Sequence, residues 1–150
     1  MIALERLLSA RITLALPLEL GETPLGRRRI IGITGGSFSG PRLNGKVLSG
    51  GADWQVLRAD GVADLDARYA LETDDGALIY VENRGYRHGP AEVIGRLARG
   101  EDVDPALYYM RTTPRFETAD PRYAWLNRII GVGTGARRSD AVELEFFEVK

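Results

Sequence analysis

The sequence predicts an all-β fold, a single antiparallel β-barrel of roughly nine or ten strands with one short helix, formed by residues 1–150 as one domain. Glycine occurs 18 times, at short intervals between runs rich in β-branched and aromatic residues, which is the pattern of a β-meander. Asp-Gly pairs at 60–61 and 75–76 fit tight hairpin turns, because glycine accepts a positive φ without steric cost.

The strands follow from the runs between these turns. They are predicted over 7–16, 27–34, 43–48, 52–58, 62–73, 77–83, 107–116, 123–132 and 141–149. The glycine-rich segment 35–45 (GGSFSGPRLNG) is interpreted as a strand that bends at a barrel corner. We reject a phosphate-binding loop there, since no helix start follows and the Lys-Ser/Thr of a Walker motif is missing.

One helix is predicted, over 90–100 (PAEVIGRLARG). Pro90 suits the first helical turn, Val93, Ile94 and Leu97 form an apolar stripe, and Gly100 can cap the end. Because the helix is short, we expect it to plug or cover one end of the sheet.

Composition excludes several classes of function. The net charge of −1 gives no electrostatic case for nucleic acid or an anionic membrane. The absence of cysteine excludes disulfides, thiolate catalysis and cysteine-ligated metals, and fits a reducing cytoplasm. Glu5, Arg6 and Arg11 interrupt the apolar N-terminus, so it is predicted to be neither a signal peptide nor a membrane span. His88 is the only histidine, which excludes a multi-histidine metal site; no metal and no cofactor are expected.

The predicted strands 62–73 and 123–132 mix apolar and polar residues on both faces. An antiparallel sheet with one solvated face would alternate more cleanly. Two compatible interpretations explain the mixture: a barrel lumen that combines aromatic and polar side chains around a small-molecule ligand, and an outer face that packs on a partner subunit. We therefore expect a ligand-binding barrel that forms a homo-oligomer, a dimer or higher.

Charged residues within strands are the first candidates for a site. Asp66 and Arg68 are two residues apart and share a face. They form either an exposed ion pair or a carboxylate held ionised by a guanidinium inside the barrel. Asp53 and Trp54 are adjacent and face opposite sides. If Asp53 faces the lumen, it can lie opposite Asp66 and form a carboxylate pair for acid/base chemistry.

Two further strands carry polar residues among aromatic ones. Arg111 shares a face with Tyr109 and Thr113, which suits binding of a carboxylate or enolate oxygen, or an internal ion pair. Trp125 and Asn127 are predicted to share a face of the strand 123–132, where Trp125 is either core or ligand platform. A buried Asn127 amide would need hydrogen-bonding partners.

Several blocks of the sequence carry a resemblance. TPLGRRRI, GGSFSGPRLNGKVLSGGADW, DG-x4-LDARY-x3-TDDGA, RTTPRFET and YAWLN occur in order. From 17 to 149 the chain resembles a bacterial and fungal family, the domain-of-unknown-function family 3237, also called uncharacterised protein family 0311. The resemblance implies a bacterial protein with a single-domain antiparallel β-barrel and no assigned reaction. It marks as motif positions Asp53, Trp54, Asp66, Arg68, Tyr69, Asp74, Trp125 and Asn127.

The functional hypothesis is a barrel that binds a carboxylate or oxygen-rich small molecule and performs cofactor-free acid/base chemistry of an isomerase, cyclase or lyase type. The alternative is a non-catalytic ligand carrier or a structural oligomeric barrel. The hypothesis assigns proton transfer to Asp53 and Asp66, charge stabilisation to Arg68 and Arg111, hydrogen bonding to Asn127, and the walls to Trp54, Tyr69 and Trp125. Converging Asp and Arg side chains would favour an enzyme, and an apolar lumen would favour a structural role.

Overall fold

A computed structural model describes all 150 residues and confirms the all-β prediction: it holds ten strands and one α-helix. The strands are β1 (Leu4–Leu14), β2 (Leu18–Thr23), β3 (Gly26–Ser39), β4 (Asn44–Val47), β5 (Ala52–Leu57), β6 (Ala63–Thr73), β7 (Leu78–His88), β8 (Tyr109–Glu117), β9 (Ile130–Arg137) and β10 (Ala141–Val149). The helix α1 spans Ala91–Ala98, and two 3-10 helices span Pro105–Leu107 and Pro121–Arg128.

The sheet closes into an eight-stranded antiparallel barrel. Strands β6 to β10 pair in chain order, β10 pairs with β1, and β1 pairs with β3. The short strands β4 and β5 share the position between β3 and β6. The remaining strand, β2, pairs with β3 alone and therefore leaves one edge open.

Two apolar clusters fill the barrel. The larger contains 18 buried residues, among them Leu8, Ile12, Ile79 and Phe146. The smaller lies under α1, whose apolar stripe packs on it as the sequence predicts. No residue of α1 is fully buried, so the helix covers this end of the barrel from outside. Neither α1 nor any other helix is long and apolar enough to cross a membrane.

Strand β9 contributes glycines to the barrel wall where other strands contribute side chains. Gly131, Gly133 and Gly135 all lie against side chains of β8. A Cβ atom on Gly133 would come within 2.6 Å of the Thr112 hydroxyl and 2.8 Å of a buried aromatic ring. Side chains of β8 therefore lie directly over the β9 backbone.

The predicted strand 123–132 is wrong over its first half. Residues Pro121–Arg128 form a 3-10 helix, with the Asp120 side chain accepting from the Arg122 N–H at 2.9 Å. Proline cannot donate to a strand ladder, and an aspartate at this position caps a helical turn. The aromatic residues Tyr123 and Trp125 gave the segment its strand-like composition, and β9 begins only at Ile130.

Two other boundaries differ from the prediction. Strand β2 covers residues 18–23, where no strand was predicted, and β7 extends five residues beyond Asn83, to His88. In β2, Leu18 and Leu20 are both exposed, so the strand buries no face in the core. The Asp-Gly turns are as predicted, with φ of 86° at Gly61 and 87° at Gly76.

Candidate functional site

A polar cluster lies inside the barrel around a cavity of about 60 Å³. This volume is roughly that of two water molecules, at about 30 Å³ each. Apolar side chains of the core form much of the wall. The polar side chains that line it are Asp53, Gln55, Tyr69, Asn83, Arg87, Thr112 and Arg137.

Strand periodicity places these groups in the lumen. Asp53 and Gln55 are two residues apart on β5 and both point inward, while Trp54 between them points outward. On β7, Asn83 and Arg87 lie on the same buried face as the core residue Val81. Successive strand residues alternate between faces, so each strand supplies its polar groups at every second or fourth position.

Three of the lining residues have polar atoms with no hydrogen-bonding partner in the protein. These atoms are Asn83 Oδ1, Arg87 Nε and Thr112 Oγ1. Their residues are only 3%, 8% and 4% exposed, respectively. Buried polar atoms are nearly always hydrogen-bonded, and leaving one without a partner costs about 1–3 kcal/mol. Unmet donors and acceptors that converge on one cavity indicate a place for water or for a polar ligand.

Asp53 is the one carboxylate among the lining residues. It accepts a hydrogen bond from the Asp66 backbone N–H at 2.8 Å and one from Gln55 Nε2 at 3.1 Å. Burial raises the pKa of Asp53 above its ordinary value, and these hydrogen bonds oppose that shift only in part. Gln55 is oriented in turn by Arg29, whose Nη2 donates to Gln55 Oε1 at 2.9 Å. The carboxyl group is thus both fixed in position and biased towards its protonated form.

Arg87 supplies a buried cation. Burial lowers the pKa of Arg87 to about 10, with further lowering from the nearby charges of Arg137 and Arg29 and a partial offset from Asp53. Arg87 forms none of the ion pairs within 4 Å that occur elsewhere in the chain, whereas Arg29 has Glu19 at 3.6 Å, near the rim. The lumen therefore has an excess of positive charge. No group of three or more His, Cys, Asp or Glu residues could hold a metal ion.

The predicted pair of carboxylates is wrong. In the register of β5 and β6, Asp53 lies opposite Ala67, so Asp66 is on the other face of the sheet. Only the backbone N–H of Asp66 reaches Asp53. The Asp66 side chain forms exposed ion pairs with Arg68 at 3.5 Å and Arg84 at 3.4 Å. Asp66 and Arg68 share a face as predicted, but it is the outer one.

Arg111 is also outside the lumen. Its Nη1 donates to the backbone oxygen of Met110 at 2.9 Å, and its neighbour on the same face, Tyr109, is 47% exposed. The side chains of β8 that point into the barrel are those of the alternate residues, which include the buried Met110 and Thr112.

The three predicted wall residues and Asn127 have separate positions. Tyr69 is inside and buried, and its burial raises the pKa of the phenol. Trp54 is on the outer face and 38% exposed. Trp125 packs at the edge of the larger core cluster, beneath the Arg42 guanidinium at 3.6 Å from the ring centroid. Asn127 is exposed and bonds the Thr118 backbone, so its amide closes a loop.

Five lumen residues were not among the predicted site residues: Gln55, Asn83, Arg87, Thr112 and Arg137. The sequence does contain a signal for some of these residues. They are polar residues that lie on the same face of a strand as buried aliphatic residues. Asn83 and Arg87, for example, follow Val81 at intervals of two and six residues. The prediction ended β7 at Asn83 and so left Arg87 outside any strand.

Residues 2–149 match the model of the family described as protein of unknown function, DUF3237. The chain belongs to this family. The resemblance seen in its sequence motifs is thereby confirmed.

Bacterial DUF3237 relatives are similar over most of their length. A UPF0311 protein of Rhodopseudomonas palustris is 50% identical over 129 residues, which cover 86% of this chain and 84% of the relative. A crystal structure of a conserved protein of unknown function from the same organism superimposes with a TM-score of 0.95 at 42% identity. That match covers 100% of this chain and 98% of the other.

A fungal protein with a named activity shares the fold at lower identity. The hydroalkoxylation enzyme phnH of Penicillium herquei is 26% identical over 147 residues, covering 98% of this chain and 83% of the relative. A crystal structure of an enzyme from Penicillium herquei gives a TM-score of 0.75 at 25% identity, with 99% and 95% of the two chains covered. The same barrel thus occurs in a fungal enzyme.

Proposed function

We propose that this protein is a cofactor-free enzyme whose lumen binds a compact, oxygen-rich anion and moves a proton by means of Asp53. The observation that carries the proposal is the set of unpartnered atoms on Asn83, Arg87 and Thr112 around one cavity. A purely structural barrel would fill this space with apolar side chains, since unpaired buried polar groups lower stability.

The charges of the lumen favour an anionic ligand atom. Arg87 and Arg137 lie close to Asp53, the one carboxyl group of the lining, and Arg87 has no counter-ion within 4 Å. In a site of low dielectric, a guanidinium that is already in place stabilises a carboxylate, enolate or phenolate oxygen strongly. The aliphatic part of the wall suits the apolar body of such a ligand.

Asp53 is suited to proton transfer. Its raised pKa keeps a larger fraction of the acid form than an exposed aspartate keeps, so it can give a proton to carbon or oxygen. In an intramolecular addition of a hydroxyl to an alkene, the O–H bond and the π bond of the alkene break while one C–H and one C–O bond form. Asp53 would donate the proton to carbon and recover it from the hydroxyl, so no co-reactant is needed.

The fungal relative supports this class of reaction. Hydroalkoxylation is the addition of an O–H group across a carbon–carbon double bond, and the relative's name assigns that chemistry to a chain that shares this fold. We extend the reaction class to this protein, and the size and charge of the lumen favour a small, acidic substrate.

Access to the lumen depends on α1. Leu65 and Met110 belong both to the cavity wall and to the cluster on which α1 packs. The helix is attached through half-buried apolar side chains, and its arginines bond only to Glu101. A cavity of about 60 Å³ is below the roughly 300 Å³ of typical ligand pockets. We expect a substrate to enter by displacing α1.

Binding is tested first, with benzoate as the probe in isothermal titration calorimetry. The native chain should bind benzoate, and Arg87→Met should weaken the affinity about 10-fold or more, because a charge-assisted hydrogen bond is lost. Arg115→Met is the matched control, since Arg115 is an exposed arginine on the outer face of β8. No binding, or equal losses in both variants, would contradict the lumen site.

Turnover is tested with a compact phenol that carries an alkenyl side chain ortho to the hydroxyl. In D₂O the product should be the cyclic ether with one deuterium on carbon, detected by mass spectrometry and NMR, and Asp53→Asn should abolish it. Benzoate binding without any cyclic ether would instead support the alternative of a non-catalytic ligand carrier.

A further inference from the structure

The outer wall of the barrel carries a shallow groove of about 1050 Å³ across β5 to β9. We call it the outer groove and define it by Trp54, Asp64, Arg84, Tyr86 and Arg111. The two aromatic rings are 38% and 49% exposed. A concave surface that combines exposed aromatic rings with arginines has the composition of a protein interface.

A second exposed apolar feature lies beside this groove. We call residues 15–25 the β2 arm. Its leucines Leu16, Leu18 and Leu20 are 92%, 62% and 53% exposed, and its strand pairs only with β3. Leu25, near the tip of the arm, is 70% exposed and also lines the rim of the outer groove. An open strand edge that presents leucines to water is a liability unless another surface covers it.

We propose that two copies of this chain form a two-fold dimer in which each β2 arm lies in the outer groove of the partner. Because the arm borders its own groove, a two-fold axis near that rim brings each arm over the other copy's groove. Both contacts then form at once, as an isologous interface requires.

The charges of the two surfaces are complementary. The β2 arm carries Glu19 and Glu22 and no basic residue between 15 and 25, and Glu22 forms no ion pair within its own chain. The outer groove is lined by four arginines and two aspartates, an excess of two positive charges. Arg111 bonds only a backbone oxygen and is free to meet a carboxylate. Electrostatic complementarity of this kind selects a partner and fixes its orientation.

The extent of the surface also fits a dimer. Sixteen of the nineteen residues that line the outer groove are at least partly exposed, and the exposed leucines of the arm enlarge the surface further. Stable protein interfaces involve about 20–30 residues on each side. The arm and the groove together therefore provide a surface of the size that a stable dimer needs.

The test is sedimentation equilibrium of the full chain and of three variants. The native chain should be dimeric at micromolar concentration. Leu18→Glu on the arm and Arg111→Glu in the groove should each weaken the dimer by about 10-fold or more, because each places an unpaired charge in a buried contact. Circular dichroism spectra should match the native spectrum, since neither side chain packs in the core.

Leu78→Glu is the matched control, since Leu78 is 58% exposed but lies at the opposite end of β7 from Tyr86. This variant should remain as dimeric as the native chain. A native chain that is monomeric at 100-fold higher concentration would overturn the proposal. It would also be overturned if Leu18→Glu weakened the dimer no more than Leu78→Glu.

Discussion

The inner and outer faces of the strands β5 to β8 carry similar residue types in opposite circumstances. On the outer face, Asp66 lies between Arg68 and Arg84, and all three side chains contact water. On the inner face, Asp53 is half-buried and Arg87 is buried, and Arg87 has no ion pair. The exposed charges are therefore paired at little energetic cost. The buried charges, in contrast, lower the stability of the folded state.

This contrast distinguishes stability from function in a single sheet. Buried charges without full pairing lower the free energy of unfolding, and proteins keep such groups mainly where ligands bind. The outer ion pairs are solvated and contribute about 0–1 kcal/mol each. Substitutions on the two faces should therefore differ in sign as well as in size.

The largest effect is expected at Arg87. Arg87→Met removes a buried cation while it keeps much of the side-chain volume, so the free energy of unfolding should rise by about 2 kcal/mol. Because the pKa of Arg87 is lowered to about 10, its cost is fully present at all pH values well below 10. The gain should therefore be the same at pH 6 and pH 8, measured by urea denaturation. Arg115→Met should leave stability unchanged; equal or lower stability of Arg87→Met would remove the contrast between the faces.

A smaller, pH-dependent effect is expected at Asp53. Its folded pKa is raised, so the native chain holds this proton more tightly than the unfolded chain and loses stability as the pH rises from 3.8 through the folded pKa. Asp53→Asn has no such loss. The stability of the variant relative to the native chain should therefore increase with pH across this window and then level off.

Asp60→Asn is the control of opposite sign for this prediction. Hydrogen bonds from Arg58 and from the Val62 backbone lower the pKa of the exposed Asp60. The relative stability of Asp60→Asn should therefore fall as the pH rises through the folded pKa of Asp60. A flat profile for Asp53→Asn in thermal melts between pH 3 and pH 8 would argue against a buried, desolvated carboxyl group.

The smallest effect is expected on the outer face. Asp66→Asn should change the free energy of unfolding by less than about 1 kcal/mol, since its ion pairs with Arg68 and Arg84 are exposed. The affinity for benzoate should stay the same, because the Asp66 backbone N–H that bonds Asp53 is retained. A large loss of benzoate binding, measured by calorimetry, would move the site to the outer wall.

Much of the fold could be predicted from local sequence. The Asp-Gly pairs placed two turns correctly, and Pro90, the apolar stripe and Gly100 placed α1. Period-two alternation correctly grouped Asp66 with Arg68 and separated Asp53 from Trp54. These features depend on neighbouring residues alone, which is why a sequence can reveal them.

The candidate site was harder to predict, because alternation groups residues without saying which group faces the lumen. On β6 both groups contain polar residues, and only closure of the barrel assigns Tyr69 inward and Asp66 outward. The pairing of Asp53 with Ala67 depends on the register between strands, which no local pattern fixes. Arg87 was missed for a simpler reason, the early end assigned to its strand.

The glycines of β9 determine how much room the lumen has. Where a neighbouring strand would project side chains, Gly133 leaves space for Thr112, and an added methyl group there would push against the hydroxyl and a core ring. A change from glycine to alanine at such a position would therefore alter the shape of the cavity without touching any of its charges. The bulk of one strand can thus change the space inside the barrel while Asp53 and Arg87 stay in place.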